Sequence, residues 1–223
     1  MEGHEEYFES AAQGRVVRRE MVGEFLGTAL MVGVGCGSVA LGARHGMVSL
    51  TFGAVVTLAI LTFGGLSGAH INPAVSIAFW RNGQLSSGLV GFYLLAQMMG
   101  GLVGAAVVGG AAPTTLAPSV NLLDGFVIEV AITMVLMVSI LEVVQRDGRR
   151  WVVAIWVGAT VALLAFVAGE LTGASMNPAR TFGPNILSGW WYTLPFYFSS
   201  TVLGAWFACD IHRWIRASPD VQA

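Results

Sequence analysis

Six long stretches of the chain, near 20 to 41, 47 to 66, 86 to 108, 124 to 144, 151 to 169 and 191 to 212, are almost free of charge, and polar residues gather between them. A hydrocarbon core about 30 Å thick is crossed by about 20 apolar residues in a helix. Each stretch therefore predicts a spanning helix. Two further apolar stretches, 72 to 81 and 177 to 187, are about half that length, or about 15 Å at 1.5 Å per residue. Each reaches half-way across a membrane.

The two short stretches are copies. "SGAHINPA" and "TGASMNPA" lie 105 positions apart, and Glu24 precedes Asn72 by 48 positions as Glu129 precedes Asn177. Three spans precede the second half of the chain, so the two copies enter the bilayer from opposite sides. This is an inverted-topology repeat, which brings its special segments together at the midplane. The predicted fold is an all-α membrane protein of six transmembrane helices plus two re-entrant half-helices. Its channel domain covers 20–213, with repeats about 20–110 and 124–213, between tails at 1–19 and 214–223.

Asn is a strong helix N-cap and Pro is favoured at the first helical position, so helices are predicted to start at Asn72-Pro73-Ala74 and Asn177-Pro178-Ala179. The residue before Pro avoids the helical region, which leaves the preceding backbone irregular. Irregular backbone at membrane depth is tolerated where it lines a cavity or is buried in protein. The carbonyls of Gly68, Ala69, His70, Gly173 and Ser175 are then acceptors along a path, and the two Asn side chains are central donors. Two helix N-termini meeting head to head carry about half a positive charge each. They repel cations and protons but admit neutral molecules.

Composition agrees with the membrane reading: 55% hydrophobic residues, 11% charged, and a mean hydropathy of +0.71. The net charge of −2 gives no basis for nucleic-acid binding. Arg15, Arg18, Arg19, Arg81, Arg146, Arg149, Arg150, Arg213 and Arg216 fall on one side of the predicted topology, which makes that side, with both termini, cytoplasmic. Arg44 lies in an outer loop. Trp190, Trp191 and Tyr192 fit an outer interfacial belt. Cys36 and Cys209 form neither a disulfide framework nor a metal motif, and no metal or cofactor is expected. No HExxH or nucleophile–base pair points to an enzyme. Glycines four apart, such as Gly100 and Gly104, permit close helix packing.

From about residue 20 to 212 the sequence resembles the aquaporin and glycerol-facilitator family, the major intrinsic proteins, through "GEFLGTAL", "SGAHINPAVS", "YLLAQMMGG" and "NPARTFGP". The resemblance implies a homotetramer in the lipid bilayer with one pore per subunit, passing water and small neutral solutes. It makes Arg180, a costly charge at membrane depth, the cation of an outer constriction completed by Phe52, Ala165 and Ala174. A one-residue slip would put Phe166 in place of Ala165. Strict water channels of the family carry His at the fifth-span position, and no His is near Ala165 in sequence. The glycerol branch carries Asp where Thr181 stands, so the pattern is mixed.

By the same resemblance Glu24 and Glu129 hold the re-entrant loops, while a proton-coupled transporter would use them as carriers. His70 is either a hydrogen-bonded wall residue or a protonation gate. The expected function is a passive channel for water and solutes of glycerol, urea or metalloid-hydroxide size. A strictly water-selective channel is the alternative. The short outer third loop, 109–123, fits a prokaryotic inner membrane.

Overall fold

A computed structural model describes residues 2–217, with side-chain surroundings given for Gly14 and from Val16 onward; Met1 and 218–223, parts of the two expected tails, lie outside the described residues. Eight α-helices follow one another: α1 Glu2–Ala40, α2 His45–Ser67, α3 Pro73–Arg81, α4 Ser87–Val107, α5 Leu122–Arg146, α6 Arg150–Thr172, α7 Pro178–Leu187 and α8 Leu194–Ala217. A single 3₁₀ turn, Trp191–Thr193, precedes α8. Among the described residues five helices are long and apolar enough to cross a membrane: α1 from Val16, α2, α4, α5 and α6. The sixth long helix, α8, has 24 residues but carries Ser199, Ser200, Thr201 and Asp210. It begins at Leu194 rather than 191, because Trp191 to Thr193 form the 3₁₀ turn. The polar stretch before residue 20, expected as a tail, is helical from Glu2 and runs unbroken into the first span.

The half-helices start where their chemistry dictates. Asn72 and Asn177 are extended N-caps with φ of −156° and −155°, and each side chain accepts from the backbone N–H two residues on. Pro follows at the first helical position in both, where no N–H is needed. The long helices before them, α2 and α6, end at Gly68 and Gly173 with φ of 85° and 77°, the left-handed cap that glycine takes without penalty.

The repeat is visible in the packing. α1 lies on α4, α5 on α8, and α2 on α6. A Cβ at Gly104 would come within 2.5 Å of the Ala29 carbonyl, and Gly100 and Gly204 press on the carbonyls of Phe25 and Val130 in the same manner. At the pseudo-two-fold centre Gly53 of α2 faces Gly158 of α6, each against the other's carbonyl, and the positions differ by the repeat of 105. Of the large buried polar side chains, Glu24, Glu129 and Asn185 satisfy backbone groups of the two re-entrant segments and of the 108–121 loop, and Gln97 donates to Glu24 and to Ser76 Oγ.

Candidate functional site

The segments 68–72 and 173–177 are neither helix nor strand. Ala69, Ile71, Ala174 and Met176 all have positive φ, between 41° and 50°. Such conformations cost on the order of 1 to 3 kcal/mol each and persist where their surroundings over-determine them. Here the surroundings are two carboxylates. Glu24 accepts from Ser67 Oγ (2.7 Å), His70 N (2.9 Å), Ile71 N (2.7 Å) and Gln97 Nε2 (2.7 Å). Glu129 accepts from Thr172 Oγ1 (2.6 Å), Ser175 N (2.9 Å) and Met176 N (3.1 Å). Tyr93 and Tyr197 donate to the Ser67 and Thr172 carbonyls at 2.7 and 2.8 Å, closing the end of each preceding helix. Both carboxylates are completely buried, and neither lines the central cavity.

With these N–H groups held on the protein side, the carbonyls are left for the other. Among the described residues no protein group donates to the carbonyls of Gly68, Ala69, His70, Gly173, Ala174 or Ser175, and all six residues line the cavity. Asn72 Nδ2 donates to Met176 O and Asn177 Nδ2 to Ile71 O, both at 2.8 Å. Each cap is thereby tied to the loop before the other, and α3 and α7 meet N-terminus to N-terminus. An amide carries two N–H donors, so each Asn keeps one beyond this tie. The nearest protein acceptor for that of Asn177 is the Met31 sulfur at 3.7 Å.

The cavity has a volume of about 770 Å³ and runs from Ala43 and His45 at one end, past Asn72 and Asn177, to Ile60, Phe79 and Val144 at the other. The re-entrant segments form its polar wall. Val56, Leu136, Val157 and Val161 form an apolar one. Phe52, Ala165, Ala174 and Arg180 all line it. Ala165 is buried, whereas Phe166 is 58% exposed and points away from the bundle. The arrangement therefore puts a methyl group, not a ring, on this part of the cavity wall. Arg180 is 7% exposed. One guanidinium nitrogen donates to Ala112 O at 3.1 Å, and Cζ lies 5.1 Å from the centre of the Phe52 ring, within cation–π range. Among the described residues no carboxylate pairs with it, so the bond to Ala112 leaves most of its five donors without a carboxylate partner at the cavity wall.

His70 is a wall residue with a partner: Nδ1 lies 3.1 Å from Ser76 Oγ, and the ring stacks on Phe79 at 4.5 Å. Thr181 Oγ1 lies 2.6 Å from Ser175 Oγ and 3.1 Å from Thr114 Oγ1. Sequence reasoning does not single out Thr114, Asn185 or Ala112. Asn185 clamps both backbone groups of Thr114 (2.7 and 2.8 Å), so the 108–121 loop is held at the Arg180 end of the cavity and delivers Ala112 O to Arg180. Nor does the sequence show a histidine near Ala165, yet the fold brings His45 to the carbonyl of Phe166 at 2.8 Å. Tyr93 and Tyr197, 104 positions apart, could have been found by extending the repeat comparison into α4 and α8.

At the opposite end of the bundle the arginines gather. Arg81 bonds Asp210 at 2.9 Å and the Trp206 carbonyl, and Glu142 joins Arg146 and Arg216 at 2.7 and 2.8 Å. In the α5–α6 connection, hydrogen bonds from Arg149 hold the Asp147 carboxyl down at about 2.

Known proteins share this architecture. The family model for the major intrinsic protein matches residues 12–212. Aquaporin-4 of Mus musculus is 33% identical over 220 residues, covering 89% of this chain and 67% of its own. A glycerol uptake facilitator protein of Haemophilus influenzae is 34% identical over 214 residues, covering 78% and 81%. The X-ray structure of the aquaglyceroporin from Plasmodium falciparum superposes with a TM-score of 0.81 at 27% identity, over 88% of this chain and 95% of that one. Two half-helices capped by paired Asn-Pro-Ala, set in six long helices and matched over nine-tenths of the chain, make this multi-pass integral membrane protein a member of the major intrinsic protein family.

Proposed function

We propose that the chain is a passive channel for water and for uncharged solutes of glycerol, urea or metalloid-hydroxide size, closed to protons and ions. The observation that carries the solute range is the cavity wall at Phe52, Ala165, Ala174 and Arg180, where two methyl groups flank one ring and one guanidinium. Relatives described as aquaporin and as glycerol uptake facilitator support both halves of this range. Ion exclusion rests on two features: the facing N-termini of α3 and α7, with about half a positive charge each, and the unpaired Arg180. Asn72 and Asn177 act as donors at the midpoint. The carbonyls of Gly68, Ala69, His70, Gly173 and Ser175 act as a ladder of acceptors that replaces lost hydration.

The two alanines argue against a strictly water-selective pore. Against a proton-coupled transporter, Glu24 and Glu129 are spent on loop N–H groups and stand off the cavity. We further place both termini and the arginine-rich end in the cytoplasm, by the distribution of arginines over short loops, with the channel domain at 20–213. The short loops favour a prokaryotic inner membrane, and the family favours a homotetramer. Stopped-flow light scattering of proteoliposomes tests the reading. Fast shrinkage in sorbitol followed by reswelling in glycerol, urea or boric acid is expected. Shrinkage without reswelling in any of them refutes the solute range, and uphill accumulation driven by a pH gradient refutes the channel.

A further inference from the structure

His45 opens α2 at the outer end of the cavity. Its repeat equivalent, 105 positions on, is Arg150, which packs on Gly64 and Gly65 near the opposite end. His45 packs correspondingly on Gly169, where an added Cβ would lie 2.7 Å from the imidazole Cε1. The ring is stacked on Phe166, with centroids 5.4 Å apart and planes 24° from parallel. Its Nε2 lies 2.8 Å from Phe166 O. A carbonyl oxygen only accepts, so Nε2 bears the hydrogen, and in the neutral ring Nδ1 is the bare acceptor. Among the described residues no protein donor reaches Nδ1.

The height of this group along the pathway follows from the helix. Gly169 is one turn beyond Ala165, about 6 Å farther out. His45, Ser49 and Phe52 line the same cavity from the same helix. The ring is thus held outside the Phe52–Arg180 level, packed on Gly169 one turn beyond Ala165 along α6 and seven residues, about 10 Å, before Phe52 along α2. Arg180 offers donors only, which serve a solute's oxygen but not its O–H or N–H hydrogens. An acceptor just outside that level completes the pairing for a molecule that carries both kinds of group.

We propose that His45 is a solute-specificity residue, its Nδ1 accepting a hydrogen bond from the hydroxyl of a polyol or the amide of a urea as the molecule enters. This rests on the reading that such solutes pass. Water, smaller and free to turn, depends on it less.

The test compares His45→Phe with His45→Asn in proteoliposomes, normalised to reconstituted protein. Phe keeps the ring and its stacking but has no acceptor, whereas the Asn carbonyl oxygen occupies nearly the position of Nδ1. Expected is a fall of roughly five-fold in glycerol and urea flux for His45→Phe, the scale of one ordinary net hydrogen bond. Water flux should stay within about two-fold, and His45→Asn should recover most of the solute flux. Unchanged glycerol flux in His45→Phe, or an equal fall in both variants, overturns the acceptor role while leaving the channel reading intact. A wild type that conducts water and no solute overturns the solute reading and this role with it. Should neither variant fold, ethoxyformylation of the wild type should lower glycerol flux, with recovery in hydroxylamine. Unaltered flux then overturns the proposal.

Discussion

Replacing Glu24 by Gln changes one oxygen of a carboxylate that receives four hydrogen bonds, two of them from the backbone of the first re-entrant loop. Whichever way the amide turns, its NH₂ faces a backbone N–H that has no second acceptor: that of His70 in one orientation, that of Ile71 in the other. Ser67 can rotate its hydroxyl, and Gln97 can present its Oε1, which has no partner among the described residues, but a peptide N–H cannot change sense. An orphaned buried donor costs about 1 to 3 kcal/mol. The remaining bonds also lose their charge assistance, which roughly halves their strength. The sum is about 2 to 4 kcal/mol, close to the strain held at Ala69 and Ile71. For a chain of this size about 2 to 4 °C accompanies each kcal/mol, so thermal unfolding in detergent should fall by roughly 5 to 15 °C. Water conductance per reconstituted protein should fall with it, without a new pH dependence. Glu129→Gln strands either Ser175 N or Met176 N and should behave alike. An unfolding temperature within about 1 °C of wild type, with unaltered conductance, would show that the loops hold themselves.

Four other outcomes follow from the geometry. Arg180→Val removes the charge beside Phe52 and should raise proton or cation leak, read with a pH-sensitive dye inside the vesicles; an unchanged leak takes Arg180 out of the barrier. Ala165→His should suppress glycerol reswelling by at least ten-fold while water still flows, whereas Phe166→Ala, on the outward face, should leave both rates within about two-fold and stability within about 0.5 kcal/mol. Asn185→Ala leaves the N–H and C=O of Thr114 without their clamp and should cost about 2 to 3 kcal/mol, with faster hydrogen exchange across 108–121. Gly158→Val sets a branched side chain against the Gly53 carbonyl and should prevent folding, visible as loss of the monodisperse peak in detergent; a well-folded product would show that the α2–α6 crossing has slack.

The half-helices and the repeat are legible in the sequence because each depends on local chemistry or on length, whereas the repeat marks Glu24 and Glu129 as equivalent without saying what they hold, a role only the family resemblance implies. Asn-Pro sets a helix start within three residues, and 20 apolar residues either occur or do not. Ala165 and Phe166 are harder, since neighbouring helical residues point about 100° apart and both are apolar. Only the packing of α6 on α2 separates the buried one from the exposed one. The roles of Thr114, Asn185 and His45 were not legible. They are made by contacts across 71 and 121 positions, between residues whose types carry no motif. Residues 1–19 read as a polar tail because hydropathy registers apolar length, and a helix built of polar residues leaves no such mark.

The reciprocal bonds from Asn72 to Met176 and from Asn177 to Ile71, and the facing of Gly53 and Gly158, set each repeat against its own copy. That is the geometry of a two-fold homodimer folded into one polypeptide, where one patch meets its own copy. The covalent link through 108–121 raises the local concentration of one half for the other, but the contacts at the centre do not use it. Split within that loop and co-expressed, the two fragments have what they need to find each other in a bilayer. A doubled first repeat would inherit the same handshake, which makes this fold one that half a gene could once have encoded.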